Sequence, residues 1–117
     1  MKVIASLELP PRAVAMAGCS DAQIRELITD RDGAPTFAMR MFDVAPGGYT
    51  PLHEHPWEHE AYVLAGQGEL RGGESPRPLR SGDAIFVAPN ERHQFANTGA
   101  ETLRFLCLVP NDQPCCR

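Results

Sequence analysis

Several things are missing from this chain, and each absence removes a class of protein. No apolar run approaches the length a membrane-spanning helix needs. No basic stripe is present, and the net charge is −4, so nucleic acid is not an expected partner. No Cys-x-x-Cys pair occurs among the four cysteines (Cys19, Cys107, Cys115 and Cys116), which removes the usual structural zinc site. No long helical period and no internal repeat are visible, and no helix pair of the DNA-reading type stands beside the rest. The first ten residues carry Lys2, but Glu8 and the prolines Pro10 and Pro11 interrupt any signal-peptide core. These features predict a cytoplasmic protein, and a disulfide framework is not expected in a reducing compartment.

What is present is concentrated in one stretch, Gly47-Gly48-Tyr49-Thr50-Pro51-Leu52-His53-Glu54-His55-Pro56-Trp57-Glu58-His59-Glu60. The chain has four histidines, and His53, His55 and His59 all lie here; His93 is the fourth. Imidazole is the commonest metal-binding side chain. In a strand, residues two apart share a face, so His53 and His55 can point the same way. Pro56 and Trp57 break that run, and His59 opens the apolar segment Ala61-Tyr62-Val63-Leu64, which reads as a strand. His93 follows the turn signal Pro89-Asn90 at the head of another short strand.

The 117 residues fit a single domain, 1–117, with a core of about 22–110, an N-terminal arm 1–21 and a flexible tail 111–117. The arm is expected to be extended with one short strand. Gln23 to Thr29 reads as a strand, with a short helix as the alternative. Asp32-Gly33 and Pro35 are turn chemistry. Phe37 to Val44 reads as a strand, and Pro46-Gly47-Gly48 as a tight turn into the histidines. Gly66 and Gly68 mark a hairpin corner, Gly72 to Pro78 a polar loop, and Ser81-Gly82-Asp83 a turn. Ala84 to Val87 and Leu103 to Val109 read as strands. Short strands at close turn spacing argue for an all-β sandwich or barrel.

Strand parity groups the side chains. Phe105, Cys107 and Val109 share one face of the last strand. Arg40, Phe42 and Val44 share a face, Ala61 and Val63 share that of His59, and Phe95 and Asn97 share that of His93. Parity alone leaves open which face is inner.

The pattern resembles the cupin superfamily. Its first motif runs Gly, five residues, His-x-His, three or four residues, Glu, six residues, Gly. Gly47 and His53-Glu54-His55 match. With six residues between, His59 is followed by Gly66, whereas Glu60 is followed by Gln67, so the glycine register favours His59 over Glu60. His59 then replaces the usual glutamate, as in small four-histidine cupins. The second motif spans Gly82 to Asn97. It departs from the pattern by one extra residue before Pro89, by Glu91 in place of Gly, and by one fewer residue before His93. The resemblance covers roughly Thr36 to Pro110 and is nearest to small manganese cupins of thermophiles.

The resemblance implies a jelly-roll β-barrel, a homodimer, and one divalent transition metal on His53, His55, His59 and His93. It adds manganese to the zinc, iron, copper and nickel that imidazole suits. It also implies that Arg40, Phe105 and Cys107 look into the pocket. Trp57 is either packing over the loop or a lid. Cys107 is either a small buried residue or a ligand or redox group. Arg40 is either a salt bridge at a subunit contact or an anchor for an anionic substrate. The expected function is a metalloenzyme with dioxygenase or other oxidoreductase chemistry on a small oxygenated or anionic molecule. A non-catalytic ligand- or metal-binding protein and a metal-dependent isomerase or lyase are the alternatives.

Overall fold

The computed structural model describes residues 1–111, so the tail cysteines Cys115 and Cys116 lie outside the described residues. Nine strands make up the described chain: β1 (Arg12–Ala13), β2 (Ser20–Ile28), β3 (Phe37–Tyr49), β4 (His59–Ala65), β5 (Gln67–Arg71), β6 (Arg77–Arg80), β7 (Ala84–Val87), β8 (Gln94–Asn97) and β9 (Leu103–Pro110). Two single turns of 3-10 helix, Ser6–Glu8 and Asp30–Asp32, are the only helical pieces among the described residues. All pairings are antiparallel. The strands form one curled sheet in the order β6-β5-β8-β3-β9-β4-β7, with β2 added to β3 and β1 to β2. Sequence-distant strands lie side by side, which is jelly-roll topology curled around an inner face.

Alternation sets the inside. On β9 the odd-numbered residues Leu103, Phe105, Cys107 and Val109 are buried and the even-numbered ones between them are partly exposed. Arg40, Phe42 and Val44 on β3, and His59, Ala61 and Val63 on β4, are buried with them. Parity therefore grouped these side chains correctly, and the curl of the sheet selects the inner group. Phe42, Phe105 and Phe95 stack in series, with ring centroids 5.2 and 4.4 Å apart, and form the apolar floor of the barrel.

Two expectations change. Pro46-Gly47-Gly48 is not a tight turn; it lies within β3. The register with β2 shifts across this segment, from Ala22↔Val44 to Ser20↔Tyr49, and Gly47 has φ 80°. The strand bends instead of reversing, leaving β9 and continuing against β8 at Tyr49↔Ala96. The polar segment Gly72 to Pro78 is a loop only in its first part, because Arg77–Arg80 forms β6 against β5. Its polar composition hid a strand whose only buried residue is Leu79. Gln23 to Ile28 is a strand rather than a helix, as part of β2, and Thr29 caps the 3-10 turn that follows.

Gly66 is the corner between β4 and β5, with φ 87°. A Cβ there would also collide with the backbone carbonyl of Thr102. Both the dihedral and the close approach demand glycine. Gly66→Ala is expected to lower stability by at least about 1–2 kcal/mol from the left-handed conformation alone. Urea unfolding monitored by Trp57 fluorescence measures this, and an unchanged midpoint would contradict the corner's role.

Candidate metal centre

The segment before β4 does not form a named strand, yet it runs antiparallel to the segment before β8. Thr50 N donates to Phe95 O at 2.8 Å, and Asn90 N donates to His55 O at 2.6 Å. Between them, His53 and His93 exchange both backbone bonds, at 3.1 and 2.9 Å. This ladder sets His53 and His93 directly opposite each other. The two-residue period then brings His55 to the same side as His53. Pro56 and Trp57 turn the chain, and His59 enters at the first residue of β4 on its inward parity.

One ring nitrogen from each of His53, His55 and His93 lies within 4.8 Å of the other two. His59 stands beside them, its ring centroid 4.3 Å from that of His55 and 5.0 Å from that of His93. Its Nε2 faces the Nε2 of His55 in short contact. The opposite nitrogens are engaged. His55 Nδ1 lies 3.0 Å from Trp57 O, and His93 Nδ1 lies 2.8 Å from Glu91 O. A carbonyl only accepts, so each of these Nδ1 atoms carries its proton and donates. In the neutral ring Nε2 is then a bare acceptor. His93 Nε2 is buried with no hydrogen-bond partner among the described residues. Acceptors converging without a donor are the arrangement a cation completes, and anchored distal nitrogens are the usual support of metal-binding imidazoles.

Electrostatics agree. Every histidine is shifted below its ordinary value near 6.5, with burial the largest cause. His53 is pulled down to about 4, by desolvation first and then by His93, His55 and Arg40. His59, buried like His93, is also driven far down, by desolvation and then by His55 and Arg40. Backbone hydrogen bonds partly oppose the shift in His55 and His93. The rings are therefore neutral at physiological pH, the form that ligates metal.

The rings His53, His59 and His93, together with Phe42, Thr50, Phe95, Phe105 and Cys107, enclose about 20 Å³. That is room for one water-sized occupant. The other sequence candidates fall into distinct places. Phe105 lines this cavity. Trp57 stacks flat on His55, with centroids 4.3 Å apart and planes 4° from parallel, so it braces a ring of the cluster. Arg40 is fully buried beneath the cluster, its Nη2 3.2 Å from Cys107 Sγ and its guanidinium 5.2 Å from the Phe42 ring centroid. Cys107 is buried, with Sγ 2.8 Å from His59 Nδ1. Glu60 is exposed on the outer face, and Glu54, Glu58 and Glu91 are exposed as well. Thr50 was not singled out by sequence. Its hydroxyl accepts from Phe95 N at 2.9 Å and locks the ladder below His53 and His93. Nothing in the local sequence signals that bond, since the two residues are 45 apart.

The family model for the cupin domain matches residues 40–109. The chain belongs to the cupin family. This cupin is 30% identical over 113 residues to an oxalate-binding protein of Thermotoga maritima, covering 92% of each chain. It is 37% identical over 78 residues to protein SchB of Streptomyces halstedii, covering 65% of this chain and 56% of that one. Among solved structures it superposes on the polyketide cyclase RemF from Streptomyces resistomycificus with a TM-score of 0.89 and 36% identity, covering 97% of this chain and 82% of that one. A predicted oxalate decarboxylase from Thermotoga maritima gives a TM-score of 0.84 at 24% identity, covering 94% and 99%, a likeness of fold.

The depressed imidazoles set a pH dependence. Unfolded histidine takes up its proton near about 6.5, whereas the folded cluster resists protonation. Falling pH therefore favours the unfolded chain. Metal-free protein should show a constant Tm above about pH 7 and a steady loss from about 6.5 downward, with the His53 contribution levelling off near about 4. The lowered carboxylate of Asp43 acts only below that window. Calorimetry of chelator-treated protein from pH 8 to 4.5 tests this, and a flat Tm across the range would contradict it.

Proposed function

We propose that this cupin holds one divalent transition metal on His53, His55, His59 and His93 and acts on a small oxygenated anion. The observation that carries the reading is the convergence of imidazole acceptors on one buried point, with three of the rings anchored through Nδ1. Four neutral ligands leave a divalent ion its full positive charge, which favours anionic ligands. Such an ion supplies Lewis acidity toward an oxygen donor and, if redox-active, an electron route for oxidoreductase or dioxygenase chemistry. Manganese is favoured by family resemblance, and zinc, iron, copper and nickel fit the same donors. The chain's own residues orient the ions and ligands that enter. Phe42, Phe95 and Phe105 keep the inner side dry, and half-buried His53 is the most accessible of the four rings.

The oxalate-binding relative, matched along nearly its whole length, supports a small dicarboxylate-like anion. That relative is named for binding, so a non-catalytic ligand-binding role is the second reading. An isomerase or lyase that needs a carboxylate base has less support, since no carboxylate lines the cavity among the described residues. The free thiol of Cys19 fits a cytoplasmic setting. The reading treats 1–117 as one cupin domain with a core of about 22–110.

Elemental analysis of protein purified without added metal is expected to return about one metal per chain. His53→Ala combined with His93→Ala should empty the site, and retained metal would defeat the assignment. Oxalate titrated calorimetrically into the loaded protein tests the anion. Consumption of oxalate or dioxygen separates an enzyme from a binding protein.

The third-ligand assignment has its own test. His59 is buried on the inner face and Glu60 is outside it. His59→Glu is expected to keep the metal but weaken oxalate binding, because an anionic ligand lowers the metal's effective charge. Glu60→Gln should change neither. Loss of metal in Glu60→Gln with retention in His59→Ala would reverse the assignment.

A homodimer completes the reading. The outer face of β4, β7 and the start of β3 exposes Tyr62, Leu64, Phe86 and Phe37, and the N-terminal arm exposes Val3 and Leu7. Apolar patches of this kind mark interaction sites. Light scattering at micromolar concentration should give twice the chain mass. A monomer mass unaltered by removal of residues 1–12 would count against it.

A further inference from the structure

We infer that Cys107 is a positioning residue of the metal centre, its sulfur serving as the shared hydrogen-bond acceptor that joins His59 to Arg40. The inference rests on the proposed metal site and extends it by one layer.

The placement follows from register. Arg40 on β3 is directly opposite Cys107 on β9. Ala61 on β4 is opposite Cys107 from the other side, which makes His59 its diagonal neighbour on the inner face. Three adjacent strands thus carry a continuous row, Arg40, Cys107 and His59, across the barrel floor. Arg40 Nη2 lies 3.2 Å from Cys107 Sγ, and His59 Nδ1 lies 2.8 Å from the same sulfur. A guanidinium only donates, so the sulfur accepts from Arg40. A neutral imidazole that ligates through Nε2 carries its proton on Nδ1, so His59 also donates to that sulfur.

His55 and His93 are anchored by backbone carbonyls, which no substitution removes. His59 is anchored by a side chain. Its orientation therefore depends on the chemistry at position 107, and Cys107 has an atom within reach of both partners where a purely apolar residue would have none. The buried charge of Arg40 is coupled through this sulfur to a ring of the cluster, which gives Arg40 a role in support of His59.

Three variants separate positioning from packing. Cys107→Ser keeps an acceptor, Cys107→Val removes it at similar volume, and Cys107→Ala removes it without overpacking. The probe is zinc, measured by competition with a chromophoric chelator, together with the His59 Nδ1–H signal in long-range proton–nitrogen spectra of the zinc-loaded protein. Loss of an outer-layer partner typically costs about 10–100-fold in metal affinity. Cys107→Val and Cys107→Ala should fall in that range, with the His59 Nδ1–H signal shifted upfield and the His55 and His93 signals unmoved. Cys107→Ser should stay within about threefold of the parent, since an acceptor remains. Folded Val and Ala variants with parental affinity and an unmoved His59 signal would overturn the inference. Equal losses in all three variants would also overturn it, as that is the signature of packing. If the parent protein binds no zinc at all, the proposed metal site itself fails, a result distinct from either of these.

Discussion

Desolvation of four imidazoles around one point is the constraint on which the rest of the molecule depends. Burying a polar group costs free energy unless it finds a partner. Here the outer nitrogens offset part of that cost. The Nδ1 atoms of His55, His59 and His93 find Trp57 O, Cys107 Sγ and Glu91 O, while the nitrogens facing inward meet one another. A proton cannot be shared comfortably in such a place, as the depressed titration of all four rings indicates. Anchored outer nitrogens and converging inner ones make the cluster a rigid set of acceptors. The barrel supplies the rigidity through the Phe42, Phe105 and Phe95 stack and the flat contact of Trp57 on His55.

The cluster also ties together parts of the chain that local structure leaves loosely joined. His53 and His55 lie on a segment outside the named strands, paired to the approach of β8 by a few backbone bonds. His59 belongs to β4, in the opposite part of the sheet order. An occupant at the centre would link these segments directly and stabilise the folded chain by mass action. Site and fold are in this sense one cooperative unit, and the loop containing Pro56 and Trp57 is the short connection that makes it so.

Membership of the cupin family fixes less about activity than about architecture, because function resides in sites carried on a shared fold. The relatives named above include a binding protein and a cyclase. Behind the imidazoles lies a second layer of this chain's own residues. A fully buried arginine beside a thiol, with a carboxylate-free inner cavity in front, differs in kind from a pocket furnished with its own base. On the proposed reading, a divalent metal on neutral ligands would favour anions, and acid–base work would fall to groups that the ligand itself brings.

Much of this was legible in the sequence. The His-x-His spacing and strand parity gave a common face for His53 and His55, and alternation grouped Phe105, Cys107 and Val109. The spacing to Gly66 separated His59 from Glu60, because a left-handed corner packed against Thr102 tolerates only glycine. Local sequence failed where a segment's conformation is decided by its neighbours. Pro46-Gly47-Gly48 has turn composition, yet pairing of Val44 and Tyr49 on either side of it with β2, and of Tyr49 with β8, makes it a bend within one strand. Arg77–Arg80 lacks a strand pattern and is a strand through its pairing with β5. The contacts of Cys107 with Arg40 and His59 span 67 and 48 residues of chain. Periodicity along a strand says which side chains share a face, but not which strand lies alongside or in what register. Those two facts are settled only when the sheet curls and closes, and they decide what stands behind the histidines.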